Sequence, residues 1–224
     1  MEEFENNNVI QENVVVKTLQ KSFLWMFLGL LATGIISFVT YKSNLLLQPE
    51  FYSMYPLILI IELVVVLLFN FLFKKLPPEV VAILYFVYAI ISGLTLTCIY
   101  YLYPIDGILY AFFISAVYFG ALAFLGYKTE KDLSKLGTLM SVALILCITV
   151  SIVNIFLGLS IVDTILDWIV LLIFAGITAY DVQRIKYFAS DDEKAHIYCA
   201  MQLYLDFINI FLRILRLFAG RRRN

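Results

Sequence analysis

A bundle of seven membrane-spanning α-helices with the last helix at its centre is the fold this sequence predicts, and three observations predict it. Of the 224 residues, 62% are hydrophobic and 15% charged, with a mean hydropathy of +0.92, whereas a soluble domain carries roughly 45–50% apolar and ~25% charged residues. Apolar runs long enough to cross the ~30 Å hydrocarbon core follow one another along the chain. The connections between them are short and polar, which leaves no room for a domain outside the membrane. The same composition excludes other classes: Gly 10, Pro 5 and Cys 3 fit neither a collagenous chain, a disordered one nor a disulfide framework. A formal charge of −1 supplies no global basic field for nucleic acid.

Residues 1–21 hold Glu2, Glu3, Glu5 and Glu12 and a run of three asparagines. They have no basic n-region, and no small-residue cleavage site follows the first apolar run, so they read as a short polar cytoplasmic N-terminus and not as a signal peptide. One transmembrane domain, 22–218, follows. Its first span, Ser22 to Tyr41, is free of charge, and the second, Tyr55 to Phe73, holds only Glu62. Val80 to Tyr103, Gly107 to Tyr127 and Leu136 to Ser160 are again free of charge. Ile165 to Phe188 is uncharged only from Trp168 to Tyr180, before Asp181, Arg184 and Lys186, and Ala195 to Phe218 carries Asp206, Arg213 and Arg216. Residues 219–224 form a basic tail. The small residues Ala116 and Gly120, Ala175 and Ala179, and Ser92-Gly93 read as points of close helix approach.

Lysine and arginine counts give the orientation. Lys17, Lys21, Lys74, Lys75, Lys128, Lys131, Lys135, Arg184, Lys186 and Lys194 fall on the side of the N-terminus, and Lys42 alone falls in a loop on the other side, so the N-terminus is expected in the cytoplasm. Seven crossings then put Arg221, Arg222 and Arg223 outside; six with a re-entrant last segment keep them inside. The 24 residues from Ala195 to Phe218 favour seven, with Arg213 and Arg216 snorkelling from the end of the span.

Three acids, Glu62, Asp181 and Asp206, lie inside apolar runs, where each costs up to ~3 kcal/mol at a helix centre. Asp181 precedes Lys194 by 13 residues and Asp206 follows it by 12, so in an antiparallel hairpin the two carboxylates reach nearly equal depth. At about 4 Å and an effective dielectric near 20 they repel by roughly 4 kcal/mol, which makes them titrate as a pair. Gln202, Asp206, Asn209, Arg213 and Arg216 recur at spacings of 4, 3, 4 and 3, one face of a helix that should point into the bundle. The plainer readings are an amphipathic helix lying in the interface, an Asp181 paired with Arg184 or Lys186 near a helix end, and a protonated Glu62 hydrogen-bonded in the bundle.

A lone histidine, His196, placed at a loop edge, excludes a polyhistidine zinc site. No serine motif, P-loop or dinucleotide fingerprint accompanies it. The chain therefore reads as no enzyme, and acid-lined transport of a hard cation or proton remains, since carboxylate oxygens are the right ligands.

The stretch Ala179-Tyr180-Asp181-Val182-Gln183-Arg184-Ile185-Lys186, then Leu203-Tyr204-Leu205-Asp206-Phe207-Ile208-Asn209 and Leu212-Arg213-Ile214-Leu215-Arg216, closely resembles the Bax inhibitor (transmembrane Bax-inhibitor-motif) family. Ile91-Ser92-Gly93-Leu94-Thr95-Leu96 resembles its third-helix signature. The resemblance runs from the first span to the last. It implies a seven-helix bundle around the last helix and a pH-sensitive calcium leak in which Asp181 and Asp206 share a proton and hold the ion. It also implies a basic latch at the end of the second helix. Lys74 or Lys75 stands where bacterial members have arginine, a point charge lacking the bidentate fork. Glu62 matches the family's second-helix acid and, with Asn209, is a candidate for the ion path.

The expected ligands are the lipid bilayer, protons and calcium as the transported ion, with no tightly bound cofactor. The expected place is a multi-pass position in a cell or organelle membrane, the cell membrane if the source is bacterial. Two rival readings are a proton-coupled cation exchanger using the same acids and a non-conducting regulator that binds a membrane protease or another membrane partner.

Overall fold

The computed structural model describes residues 2–189 and 192–219, with side chains from residue 13 onward. The basic tail from 220 to 224 and loop residues Ser190 and Asp191 lie outside the described residues. All the long elements are helices: α1 Glu2–Lys42, α2 Pro49–Leu72, α3 Pro78–Leu96, α4 Ile99–Leu102, α5 Ile105–Lys128, α6 Ser134–Leu157, α7 Ser160–Phe188 and α8 Glu193–Phe218. With α3 and α4 taken as one interrupted span, seven helices are long and apolar enough to cross a membrane. The chain is a multi-pass integral membrane protein.

The helix limits follow local chemistry. No proline or glycine interrupts the chain before Gly29, so α1 continues back through the polar N-terminus to Glu2, well before the expected Ser22. Proline stands at the first position of α2 (Pro49) and of α3 (Pro78), where its missing N–H costs nothing and its fixed φ suits a helix start. The α2 start thus falls six residues before Tyr55. A break at Thr97-Cys98 separates α3 from α4, and the Thr97 hydroxyl there donates to the Gly93 carbonyl at 3.0 Å. Gly158 ends α6 in the left-handed conformation, φ 65°, so the fifth span stops short of Ser160.

The chain forms two compact units, residues 1–102 with 188–204, and residues 103–187 with 205–224. In the first, α1 and α3 approach closely at Gly93, where a Cβ would come within 2.8 Å of Ile36 Cβ and 2.9 Å of the Thr33 carbonyl oxygen. The Thr33 hydroxyl bonds the Ala89 carbonyl at 2.9 Å and shares a 2.7 Å hydrogen bond with the Tyr204 hydroxyl. Tyr85, fully buried, donates to the Trp25 carbonyl at 2.8 Å. Such partners let hydroxyls sit in an apolar core at little cost. Tyr198 stacks on Phe73 with ring centroids 3.9 Å apart, and Gln202 donates to Asn70 Oδ1 at 3.0 Å.

In the second unit α5 turns a small-residue face inward, but a different one from that expected. Ala111, Ser115, Ala123 and Gly126 are buried, whereas Ala116 and Gly120 are exposed and a Cβ on Gly120 would meet nothing within 4 Å. At Gly126 a Cβ would overlap the Ala179 carbonyl, so α5 and α7 meet backbone to backbone. Gly126→Ala should lower stability by about 1–3 kcal/mol, because main chain cannot give way as a side-chain tip can. A thermal melt in detergent reads it, and an unchanged midpoint would mean that the helices separate freely there.

The turn between α5 and α6 is held by a side chain of α7. Gln183 Nε2 donates to the carbonyls of Thr129 at 2.9 Å and Lys131 at 2.8 Å, and its Oε1 accepts the Leu133 N–H at 2.8 Å. The Lys186 ammonium adds a bond to the Tyr127 carbonyl. Within the turn, the Ser134 hydroxyl bonds Asp132 and the Ser134 N–H donates to it at 2.9 Å, which together hold that exposed carboxylate below its usual range.

Candidate functional site

Of the spans, α8 is the most buried: 61% of its most apolar stretch is covered, against 6% for α2. It supplies core residues to both units, Ile197, Met201 and Tyr204 to the first, Phe207, Ile210 and Ile214 to the second. A helix lying in the membrane interface does not have such burial. His196, expected at a loop edge, is also fully buried in the first turn of α8.

The polar stripe of α8 meets partners along its length. In the second unit Asp206, 3% exposed, lies within electrostatic reach of Asp181 on α7. Their nearly equal separations from Lys194 bring the two acids to similar depth on the antiparallel helices. The Thr178 hydroxyl, one turn before Asp181 on α7, sits beside the Asp206 carboxylate. Thr178 Oγ1 and Asp206 Oδ2 are both buried without a well-aligned hydrogen-bond partner among the described residues. Buried oxygens in that state are costly unless a proton, water or cation meets them. Asp181 is the more accessible member, its side chain 10% exposed, and Arg184 on its own helix approaches it to 3.7 Å. Asn209, one turn beyond Asp206, donates to the Leu205 carbonyl of its own helix at 2.8 Å.

Carboxylates and a hydroxyl are hard oxygen donors. Calcium takes six to eight oxygens, and two carboxylates with one hydroxyl supply part of that shell. Among the described residues no group of three or more His, Cys, Asp and Glu is arranged to hold a metal.

The other expected site residues belong to the first unit. Glu62 is half-buried on α2 with the Tyr88 hydroxyl beside it. Lys74 and Lys75 are exposed just past the end of α2, with the Lys74 ammonium 5.9 Å from the centre of the Phe73 ring.

Sequence reasoning missed one buried acid. Asp167 on α7, 5% exposed, takes Arg213 Nη1 at 2.7 Å and Arg216 Nη1 at 3.4 Å on a single carboxylate oxygen. An ion pair with Asp167 thus holds Arg213, and Arg216, with 45% of its side chain exposed, joins it at longer range. One turn earlier on α7, Asp163 accepts from Asn154 Nδ2 at 2.7 Å. A partial signal was present: Asp163 and Asp167 share a helix face near the start of α7, and Arg213 and Arg216 share one near the end of α8, ends that an antiparallel pair brings to the same side.

Comparison with known proteins gives a consistent picture. Residues 15–223 match the family model described as inhibitor of apoptosis-promoting Bax1. The chain is 32% identical over 228 residues to the inner membrane protein YbhL of Escherichia coli, covering 97% of both chains. It is 34% identical over 215 residues to an uncharacterized protein of Rickettsia prowazekii, covering 91% of this chain and 89% of that one. An uncharacterized membrane protein of Streptococcus pyogenes is 36% identical over 164 residues, 71% of each chain.

Proposed function

Because the chain belongs to the Bax inhibitor family, we propose that it is a pH-sensitive calcium leak of the membrane, with Asp181 and Asp206 as a proton-sharing pair that doubles as the cation site. The observation that supports this reading is the placement of two carboxylates from different helices within electrostatic reach of one another, with the Thr178 hydroxyl beside Asp206. Protons and calcium compete for the same oxygens. Calcium affinity therefore rises with pH through the range in which the pair gives up its shared proton. The lysine and arginine counts put the N-terminus in the cytoplasm. The reading is of a conductor and not an enzyme, with lipid, protons and calcium as its ligands and no resident cofactor.

Calcium flux into liposomes that hold the purified chain tests this reading across pH. The wild type should conduct with a marked pH dependence, and Asp181→Asn combined with Asp206→Asn should remove that dependence. Flux with an unaltered pH profile in the double variant would overturn the assignment, and strict counter-flux of protons would make the protein an exchanger.

The latch is the second part of the proposal. A cation beside a buried carboxylate stabilises its charged form, and Lys74 or Lys75 at the end of α2 is the family-matched candidate. Replacing both with glutamine should raise the leak near neutral pH by several-fold, and unchanged flux would remove the latch from the mechanism.

A further inference from the structure

We propose that Gln183 is a positioning residue for the aspartate pair: it locks α7 to the α5–α6 turn, so that Asp181 and the turn move as one body and the turn is a handle on the pair. The lock is a buried amide with both of its ends engaged. Gln183 is 3% exposed. The two hydrogens of Nε2 go to the Thr129 and Lys131 carbonyls, and Oε1 takes the Leu133 N–H. Two acceptors and one donor around the amide permit a single orientation of it. Those three residues reach from one end of the turn to the other, so one side chain of α7 fixes the whole connection.

The lock belongs to a continuous face of α7. Gly176 lies against α6, where a Cβ would come within 2.8 Å of Met140 Cγ, and the Ala179 main chain meets Gly126 of α5. The Tyr180 ring covers Gly137 of α6. Lys186 bonds the Tyr127 carbonyl, with its ammonium 5.0 Å from the centre of the Tyr127 ring. Residues 176, 179, 180, 183 and 186 recur at helical spacing, which puts them on one side of α7. At Gly126 and Gly137 the partner is main chain or an aromatic ring, neither of which yields as a flexible side-chain tip does. The helix cannot turn or slide against the α5–α6 hairpin without breaking this face.

Asp181 stands on the far side. At ~100° per residue it lies roughly 160° around α7 from Gln183, and Thr178 lies roughly 140° from it. The charged groups facing Asp181 are Arg184 on its own helix at 3.7 Å and Asp206 on α8. On the locked side the charges are Lys186, committed to the Tyr127 carbonyl, and Asp132 in the turn, committed to Ser134. The bonds to the turn thus set the rotation and depth of α7 from behind, and that rotation and depth place Asp181 opposite Asp206. The inference rests on the proton sharing proposed above and not on conduction.

Infrared titration of the full chain in lipid nanodiscs, without calcium, follows its protonated carboxyls, and loss of signal in Asp181→Asn and in Asp206→Asn assigns those of the pair. The wild type should release the two protons in separated steps, since the first charge opposes the second. Gln183→Ala frees α7 and should draw the steps together by about one pH unit or more, a tenfold change in relative proton affinity. In an Asp181→Asn background the same substitution should leave the Asp206 titration in place, because it acts through Asp181. Two glycines inserted after Glu130 break the lock from the exposed side of the turn and should reproduce the Gln183→Ala profile. The same insertion after Gly158, in the α6–α7 turn, should not. The Glu130 insertion keeps Gln183 itself intact and decides the matter if Gln183→Ala fails to fold. Separated steps that neither change alters, or that the Gly158 insertion alters equally, would overturn the handle and leave proton sharing standing. A wild type without separated steps would overturn both, whereas absence of calcium flux would bear on conduction alone.

Discussion

Asp206→Asn should weaken calcium binding near neutral pH by about tenfold or more, a loss of ~1.4 kcal/mol or greater, and should flatten its pH dependence. Asparagine keeps the shape of the side chain and one carbonyl oxygen, so the 3% exposed position remains filled. It removes the charge that opposes Asp181, and with it the repulsion that makes one proton bridge two carboxylates. The sign follows from the competition proposed above: on that reading a falling pH loads the wild-type pair with a proton and expels calcium. In the variant Asp181 stands with Arg184 at 3.7 Å as its neighbouring cation, so less affinity is left for protonation to remove. Calcium titrations at several pH values separate the outcomes. A variant with the wild-type slope would show that Asp206 is a structural acid and that the cation binds elsewhere.

Asp167→Ala should be among the most destabilising single substitutions in the chain, at about 3 kcal/mol. Two guanidiniums share one oxygen of this carboxylate, at 2.7 and 3.4 Å, and its removal strands Arg213, whose side chain is 21% exposed, without a counter-charge. Arg216 is nearly half exposed and finds water more readily, which places the cost at the lower end of that for breaking a buried pair. Trp168 is adjacent in sequence and packs edge-on against Phe218 at 5.6 Å, so tryptophan fluorescence during thermal unfolding in detergent reports on this end of α8. An unshifted midpoint would mean that the ion pair contributes no net stability. Combining Asp167→Ala with leucine at 213 and 216 should recover much of the loss, since burying no charge costs less than burying unpaired ones.

The two acid sites differ in how readily the sequence discloses them, for a physical reason. Asp181 and Asp206 stand out because each interrupts an otherwise apolar run, and equal counts to the intervening loop set their depth. Asp167 lies just before the uncharged stretch from Trp168 to Tyr180, so it reads as the polar edge of a span, while the α7 helix extends seven residues further back. Hydropathy sets the number of spans because burial in lipid is a property of composition. It does not set where helices stop, which proline, glycine and hydrogen-bonded side chains decide one residue at a time. The exchange of Ala116 and Gly120 for Ala111, Ser115, Ala123 and Gly126 on the inner face of α5 has the same origin. All of these residues are small, and only packing against α7 tells the two faces apart.

The clamp that Gln183 places on the α5–α6 turn makes one backbone amide a gauge of helix position. The Leu133 N–H has a side-chain acceptor for its partner, and that acceptor rides on α7 two residues beyond Asp181. Its hydrogen exchange is thus timed by release of α7 from the turn and not by fraying of α6, whose ladder of bonds begins after it. A label at this single amide reads displacement near the aspartates without touching either carboxylate.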